Sequence, residues 1–338
     1  MKKQIIQSFI PALSLFFGTI AAQSTAIMYS LPATELCVEV TYEKTTETPG
    51  EFYRYSERYL ATSDVITSEK TSYRLKGITV NTRPVADAKR TYPVIPSGKS
   101  KLTNITVNSQ GILCGMNVPA TEFVASTPET KLPETTDTNI HLLPLNEEYV
   151  MAGSSAKMAE GIAKQIYFIR ESRFNLITGD VDHLPADGNS LNTMLQEMNK
   201  TEKELTALFI GKRTVETATQ TVYFTPSEPV TDILFRFSSI SGVVASDDLS
   251  GTPYHINIVP RPTTLPPPPK RSSEPETLLT VVPALTQISI TEGKEILYAT
   301  QLQIPQLGSV IAVPDAAIKS AEAKITVDIQ TGRLISIQ

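Results

Sequence analysis

Two kinds of hydrophobic periodicity divide the chain and limit the folds that are open to it. Leu36, Val38 and Val40 alternate with polar neighbours, as a half-buried strand requires, and similar runs return after residue 213. Between residues 147 and 212, apolar residues instead recur every three to four positions, the period of an amphipathic helix. The sequence therefore predicts an α+β protein with a β-rich N-terminal unit, a central antiparallel αα-hairpin and a β-rich C-terminal unit.

Changes in composition predict where these segments begin and end. Proline and threonine are frequent between the N-terminal unit and the hairpin, which is typical of a linker. The predicted segments are a signal peptide at 1–26, an N-terminal α+β unit at 27–118, a Pro/Thr-rich linker at 119–146, the helical hairpin at 147–212, and a C-terminal β-rich unit at 213–338 with a Pro-rich loop at 260–275.

The two helices of the hairpin carry apolar stripes that predict which side of each is buried. Gly179 and Gly211 occupy positions suited to the residue that ends a helix, and Ser190 or Asn189 is a predicted cap of the second helix. The first stripe comprises Ala159, Ile162, Ile166 and Ile169, and the second comprises Leu191, Met194, Leu195, Met198, Leu205, Leu208 and Phe209.

A shorter helix is predicted within the N-terminal unit. Thr48, Pro49 and Glu51 form a capping-box start, and the helix should run to about Leu60. Aromatic residues at 52, 55 and 59 then share one face, which is expected to lie in the core.

The N-terminus has the layout of a secretory signal peptide. Lys2 and Lys3 precede a mostly apolar stretch from 5 to 22, and small residues follow it. Cleavage is expected after Ala22 or Ala26. No later segment is long and apolar enough to span a membrane, so the mature chain is expected to have no transmembrane anchor.

Export would allow the two cysteines to form a disulfide. Cys37 and Cys114 both lie in strand-like runs. The alternative is that each is a small buried apolar residue.

The overall composition excludes several classes of protein. The net charge is −5 with no basic run, so binding to nucleic acid is not expected. Three histidines and two cysteines are too few for a Cys/His zinc cluster or a cysteine-ligated iron–sulfur centre.

Motifs for phosphate, metal or catalysis are incomplete. Residues 98–100 resemble the end of a phosphate-binding loop, but Pro93 stands where a glycine is required. Asp180 and Asp182 fit the start of a calcium loop, but Leu191 replaces its bidentate glutamate. The histidines lie in separate segments, and no nucleophile motif accompanies them. No cofactor or metal is therefore predicted, and no catalytic residue is nominated.

Charged residues on the first helix of the hairpin are the candidate ligand-binding site. Arg173 continues the apolar stripe of its helix and must find a partner or water, and Arg170 and Glu160 lie on the same helix. One alternative is an Arg-lined site for an anionic ligand. The other is a salt bridge, either between the two helices or from a helix to a β unit. Between the helices, Arg173 is expected to lie nearer Glu197 than Glu202.

Two segments of the chain echo each other. Residues 105–113 and 325–334 both read as a short strand, a turn containing glycine, and a second strand. Duplication of a β unit would explain this similarity, and so would the strand and turn residues that hairpins share in general.

Several motifs resemble a family of secreted Bacteroidetes proteins that is grouped as a domain of unknown function. The resemblance rests chiefly on 159–167 (AEGIAKQIY), with support from 29–32, 49–53, 110–113, 170–173, 176–180 and 331–332. It implies the periplasm or cell envelope of a Gram-negative bacterium and supplies no activity and no site residues.

Three functions remain open for an exported chain of this kind. The expected function is a non-enzymatic binding or structural module that recognises an envelope protein or ligand. One alternative is a secreted hydrolase acting on envelope or host glycans or peptides, which would show a cleft with convergent acids. The second alternative is an accessory subunit of a surface-assembly or export machine, which would show a long exposed strand edge or apolar patch.

Overall fold

A computed structural model of the chain shows a sheet-rich protein with one central pair of long helices, which confirms the predicted fold class. The structure describes residues 26–94, 102, 104–124, 147, 151, 153–181, 187–261, 277–313, 318 and 320–338. All but the last residue of the predicted signal peptide, and most of the predicted linker and Pro-rich loop, lie outside these residues.

The strands are β1 (Ile27–Thr48), β2 (Lys70–Val94), β3 (Ile105–Val107), β4 (Leu113–Met116), β5 (Lys212–Phe224), β6 (Val230–Ser238), β7 (Gly242–Val244), β8 (Thr252–Pro260), β9 (Leu279–Glu292), β10 (Glu295–Ala312), β11 (Ile325–Val327) and β12 (Leu334–Ile337). The helices among the described residues are α1 (Ser56–Leu60), α2 (Ser155–Thr178) and α3 (Gly188–Ile210), and a short 3-10 turn at Tyr53–Tyr55 precedes α1.

These strands form three sheets, ordered β2-β1-β5, β10-β9-β8-β6-β7 and β12-β11-β4-β3. Two of the sheets combine strands from both ends of the chain. Strand β1 pairs with β5, and β4 pairs with β11. The N-terminal and C-terminal regions that were predicted as separate units therefore share sheets.

The main core lies between the three-stranded and the five-stranded sheets. Leu36, Val38 and Val40 on β1 are fully buried there, as their alternation predicts. They meet apolar residues of the five-stranded sheet, including Ile256 and Ile288. The outward residues of β1 are glutamates, threonines and Cys37, so one face of the three-stranded sheet remains polar.

A second core joins the four-stranded sheet to the other two. It comprises Tyr29, Leu31, Val94, Leu102, Leu113, Met116, Leu278, Val281, Val313, Ile318, Ala323, Ile325 and Val327. The two segments that echo each other in sequence lie side by side in this sheet, because β4 of the first hairpin pairs with β11 of the second.

A polar joint holds β1, β2 and β10 together where the pairing of the strands is irregular. The Arg90 guanidinium donates from Nη1 to the carbonyl of Pro305 and from Nη2 to that of Pro32, each at 2.9 Å. It also bonds Asp87 at 2.6 Å. The side-chain amide of Gln306 bonds both the N–H and the carbonyl of Thr34. These contacts satisfy backbone groups that the interrupted ladders leave open.

Burial of the Tyr29 phenol in the second core makes the stability of the fold decrease at alkaline pH. Burial raises the pKa of Tyr29 from 10.0 to about 12, and its hydroxyl accepts a hydrogen bond from the N–H of Leu279. The folded state is fully stabilised below pH 10, where the phenol is neutral in both the folded and the unfolded chain. This stability is lost as the pH rises towards 12, because the phenol of the unfolded chain ionises first.

We therefore expect wild type to lose about 2 kcal/mol of unfolding free energy relative to Tyr29→Phe between about pH 9 and 11.5, because only wild type carries the ionisable phenol. Urea unfolding at the two pH values measures this change. Tyr223→Phe is the control, because Tyr223 is exposed. A pH-independent gap for Tyr29→Phe would contradict the assignment.

The segment between β1 and β2 differs from its prediction. Thr48 ends β1 instead of capping a helix, and the helical residues begin only at Tyr53. The predicted aromatic face is nevertheless in a core, since Phe52 is buried and Tyr55 and Tyr59 pack against the same cluster.

Candidate functional site

The candidate ligand residues lie on the hairpin of α2 and α3. The side chain of Ser154 caps α2, and Gly179 ends it at a φ of 76°. The side chain of Asp187 caps α3 by accepting from the N–H of Ser190 at 2.7 Å. Sequence reasoning placed this cap two or three residues too late. Hydrogen bonds from Ser190 hold the pKa of Asp187 below its ordinary value.

The base of the hairpin is anchored to the segment between β1 and β2. The N–H of Phe52 donates to the carbonyl of Leu208 at 2.7 Å, and that of Ile66 donates to Ile210 at 2.9 Å. The ring of Phe52 lies 5.9 Å from that of Phe209. The buried residues of this third core are Phe52, Ala159, Ile162, Ala163, Ile166, Ile169, Leu205 and Phe209.

Arg170 and Arg173 both point across the hairpin to one carboxylate. Arg170 Nε lies 2.6 Å from Glu202 Oε1, and Arg173 Nη1 bonds the other oxygen, Glu202 Oε2. Arg173 Nη1 also donates to Asn199 Oδ1 at 2.6 Å. Glu202 therefore occupies the place between the two guanidinium groups that an anionic ligand would need. This geometry favours a salt bridge between the helices and gives the ligand-site prediction no support.

Glu160 lies apart from this cluster. Its carboxylate bonds Lys164 at 2.8 Å one turn along α2, and both side chains are exposed. That hydrogen bond lowers the pKa of Glu160 below its ordinary value. The structure thus does not bring Glu160 together with the two arginines.

The expected partner of Arg173 was wrong, because Glu202 takes the place that was assigned to Glu197. Glu202 shares the inward stripe of α3 with Met198 and Leu205, whereas Glu197 lies about 120° away from that stripe around the helix. Matching the inward arginine to the inward glutamate would have found the pair. The signal was present in the sequence, but the prediction assigned the wrong offset between the two antiparallel helices along their axes.

Arg173→Ala is expected to lower the free energy of unfolding by about 1–3 kcal/mol, because Glu202 and Asn199 lose their shared donor. Urea denaturation of the full chain measures the change. Lys164→Ala removes an exposed pair on the same helix and should cost less than about 0.5 kcal/mol. Equal effects of the two substitutions would contradict the structural role of the Arg173 cluster.

Beyond the salt bridge, the hairpin exposes apolar side chains at its far end. Phe174 and Ile177 on α2 are 65% and 66% exposed, and Met194 on α3 is 44% exposed. The pairing of Arg173 with Asn199 places Ile177 at about the level of Leu195. We call Phe174, Ile177, Leu191, Met194 and Leu195 the hairpin tip, in which Leu191 and Leu195 are half-buried and the other three are exposed. Sequence reasoning placed three of these residues on the stripe of the second helix but did not predict that the tip is exposed.

The two cysteines are free thiols in different surroundings, so the structure does not join Cys37 to Cys114. Cys37 points to the polar outer face of the three-stranded sheet, because its neighbours Leu36 and Val38 face the core. Cys114 is buried beside Ile112 and Ile329 in the four-stranded sheet. Burial raises the pKa of the Cys37 thiol.

Within the described residues, no group of three or more His, Cys, Asp or Glu side chains is placed to hold a metal ion. Asp182, His141, His183 and residues 98–100 lie outside those residues. In the same part of the chain, no helix has the length and hydrophobicity needed to cross a membrane.

Comparison with known proteins identifies the family. The family model described as a domain of unknown function, DUF4831, matches residues 25–335. Because this match covers most of the chain, the protein belongs to the DUF4831 family. No curated protein and no solved structure matches the chain.

Proposed function

We propose that the protein is exported to the periplasm or cell envelope of a Gram-negative bacterium, where it acts by binding a partner protein and not by catalysis. Two observations support export. The first residues have the charge and hydrophobicity of a signal peptide, and the family match begins at residue 25, inside the predicted cleavage zone.

The exposed hairpin tip is the observation that carries the binding proposal. Phe174 and Ile177 lie on the side of α2 that continues its buried stripe, where apolar residues normally meet a neighbour. Exposed apolar clusters rimmed by polar residues mark interaction sites, and acidic Asp180 and Asp187 lie at the two helix ends that meet the hairpin tip.

Among the three functions left open by the sequence, the hairpin tip favours an accessory subunit of a larger envelope assembly. A helical pair anchored at its base, with apolar residues at its far end, can insert those residues into a groove on another protein. The partner surface should itself be apolar and carry basic groups where it faces Asp180 and Asp187.

Capture from the native envelope tests the proposal. Affinity-tagged chains are expressed in the native host, the cells are fractionated, and wild type is compared with Phe174→Ser/Ile177→Ser. Phe168→Ser is the matched control, because Phe168 is also 66% exposed but lies half a turn around the helix from Ile177.

We expect a mature chain in the envelope fraction and a partner that wild type and Phe168→Ser retain. The double variant should retain at least about tenfold less of it, since two apolar anchors are lost. Equal capture by all three chains, or a full-length chain confined to the cytosol, would contradict the proposal.

A further inference from the structure

Strand β5 leaves one long edge of the three-stranded sheet open within the described residues. It pairs with β1 from Lys212 to Phe224 without a register shift, and no described strand pairs with its other edge. Such an edge offers a row of backbone donors and acceptors that another strand can bind.

The other described edge strands carry features that discourage pairing. Strand β2 contains Pro84 and Pro93, and β10 contains Pro305 beside an irregularity in its register. Strands β3, β7 and β12 are only three or four residues long. Strand β5 has neither proline nor bulge, and it is thirteen residues long.

We infer that β5 pairs with β5 of a second copy of this chain, antiparallel and centred on Ala218. The sequence of β5 complements itself in this register. Arg213 stands opposite Tyr223, Val215 opposite Thr221, Glu216 opposite Gln220 and Thr217 opposite Thr219. No pair sets like charges against each other, whereas a shift of four residues would place Glu216 opposite its own copy.

The faces of the two copies also match in this register. The odd-numbered residues Arg213, Val215, Thr217 and Tyr223 are exposed on the outer face. Each pairs with another odd-numbered residue, so the polar outer face continues across the junction and the inner faces remain on one side. The product is a six-stranded sheet with two-fold symmetry, in the order β2-β1-β5-β5-β1-β2.

Thr217 and Thr219 give a direct test, because each faces the other across the two-fold axis. Thr217→Lys/Thr219→Lys sets two pairs of like charges opposite each other in the dimer, and Thr217→Glu/Thr219→Glu does the same with acids. Both threonines are exposed in the single chain, where Thr217 lies opposite Glu43 of β1 and Thr219 shares a hydrogen bond with the hydroxyl of Thr41, so the changes alter only surface contacts of the monomer. Gln301→Lys/Gln303→Lys, at exposed sites on edge strand β10, is the control.

Sedimentation equilibrium of the full mature chain measures the dimer. We expect wild type and the Gln301→Lys/Gln303→Lys control to dimerise, and each Thr217/Thr219 variant alone to dissociate with at least about a tenfold weaker constant. Mixing the lysine and glutamate variants should restore a dimer containing one of each, which also shows that both are folded. A monomeric wild type, a dimer unaffected by the two variants, or a mixture that stays monomeric would overturn the inference.

Discussion

Gly115→Ala is expected to lower the free energy of unfolding by at least about 4 kcal/mol, more than most single substitutions in a folded protein. Gly115 has a φ of 143°, a conformation that alanine rarely adopts. A Cβ at this position would overlap the backbone carbonyl of Ile325. That carbonyl belongs to β11, which pairs with β4 at this point, so relief of the overlap would separate the two halves of the four-stranded sheet.

The soluble yield and the urea midpoint of the variant measure this effect. Gly77→Ala is the matched control, because Gly77 lies in β2 and a Cβ there meets nothing within 4 Å. We expect the control to stay within about 0.5 kcal/mol of wild type. A Gly115→Ala protein as stable as Gly77→Ala would contradict the close approach of β4 and β11.

Arg90→Met is expected to lower the free energy of unfolding by about 3 kcal/mol. The Arg90 side chain is 13% exposed and satisfies two backbone carbonyls and Asp87 at the joint of β1, β2 and β10. Methionine keeps much of the apolar stem but leaves those oxygens without their donor.

Arg83→Met on the same strand provides the comparison. Arg83 pairs with Glu35 on the outer face, where its side chain is 45% exposed, so its loss should cost less than about 1 kcal/mol. Chemical denaturation of both variants under identical conditions gives the two values. Similar losses would show that the joint contributes no more than a surface ion pair.

The elements were largely predictable because their signals are local. The stripe from Ala159 to Ile169 repeats within a single helix, and the alternation at Leu36, Val38 and Val40 repeats within a single strand. Each pattern reflects one buried face, and each face is buried in the structure.

The pairing of strands was not predictable, because it joins residues far apart in the chain. The sequence of β1 does not indicate that β5 is its neighbour. The pairing of Leu36 with Phe224 depends on how the three-stranded and five-stranded sheets pack together.

The functional features of the helical hairpin, its arginine cluster and its tip, were partly predictable. Its inward arginine was identified because a charge on a buried stripe must be paired. Exposure of the tip was not foreseen, since an apolar stripe predicts a neighbour but not whether that neighbour belongs to the same chain. Leu191 and Leu195 continue the stripe that buries Leu205 and Phe209, and only the structure shows where the contacts end.

Site-specific photo-crosslinking in living cells tests the central claim most directly. A benzophenone amino acid replaces Ile177 at the tip in one strain and Phe168, on the opposite side of α2, in another. The account predicts a discrete crosslinked envelope protein from position 177 and none from position 168. Crosslinks that are the same at both positions, or absent from position 177, would contradict the claim that this chain works by docking its helical hairpin onto a partner.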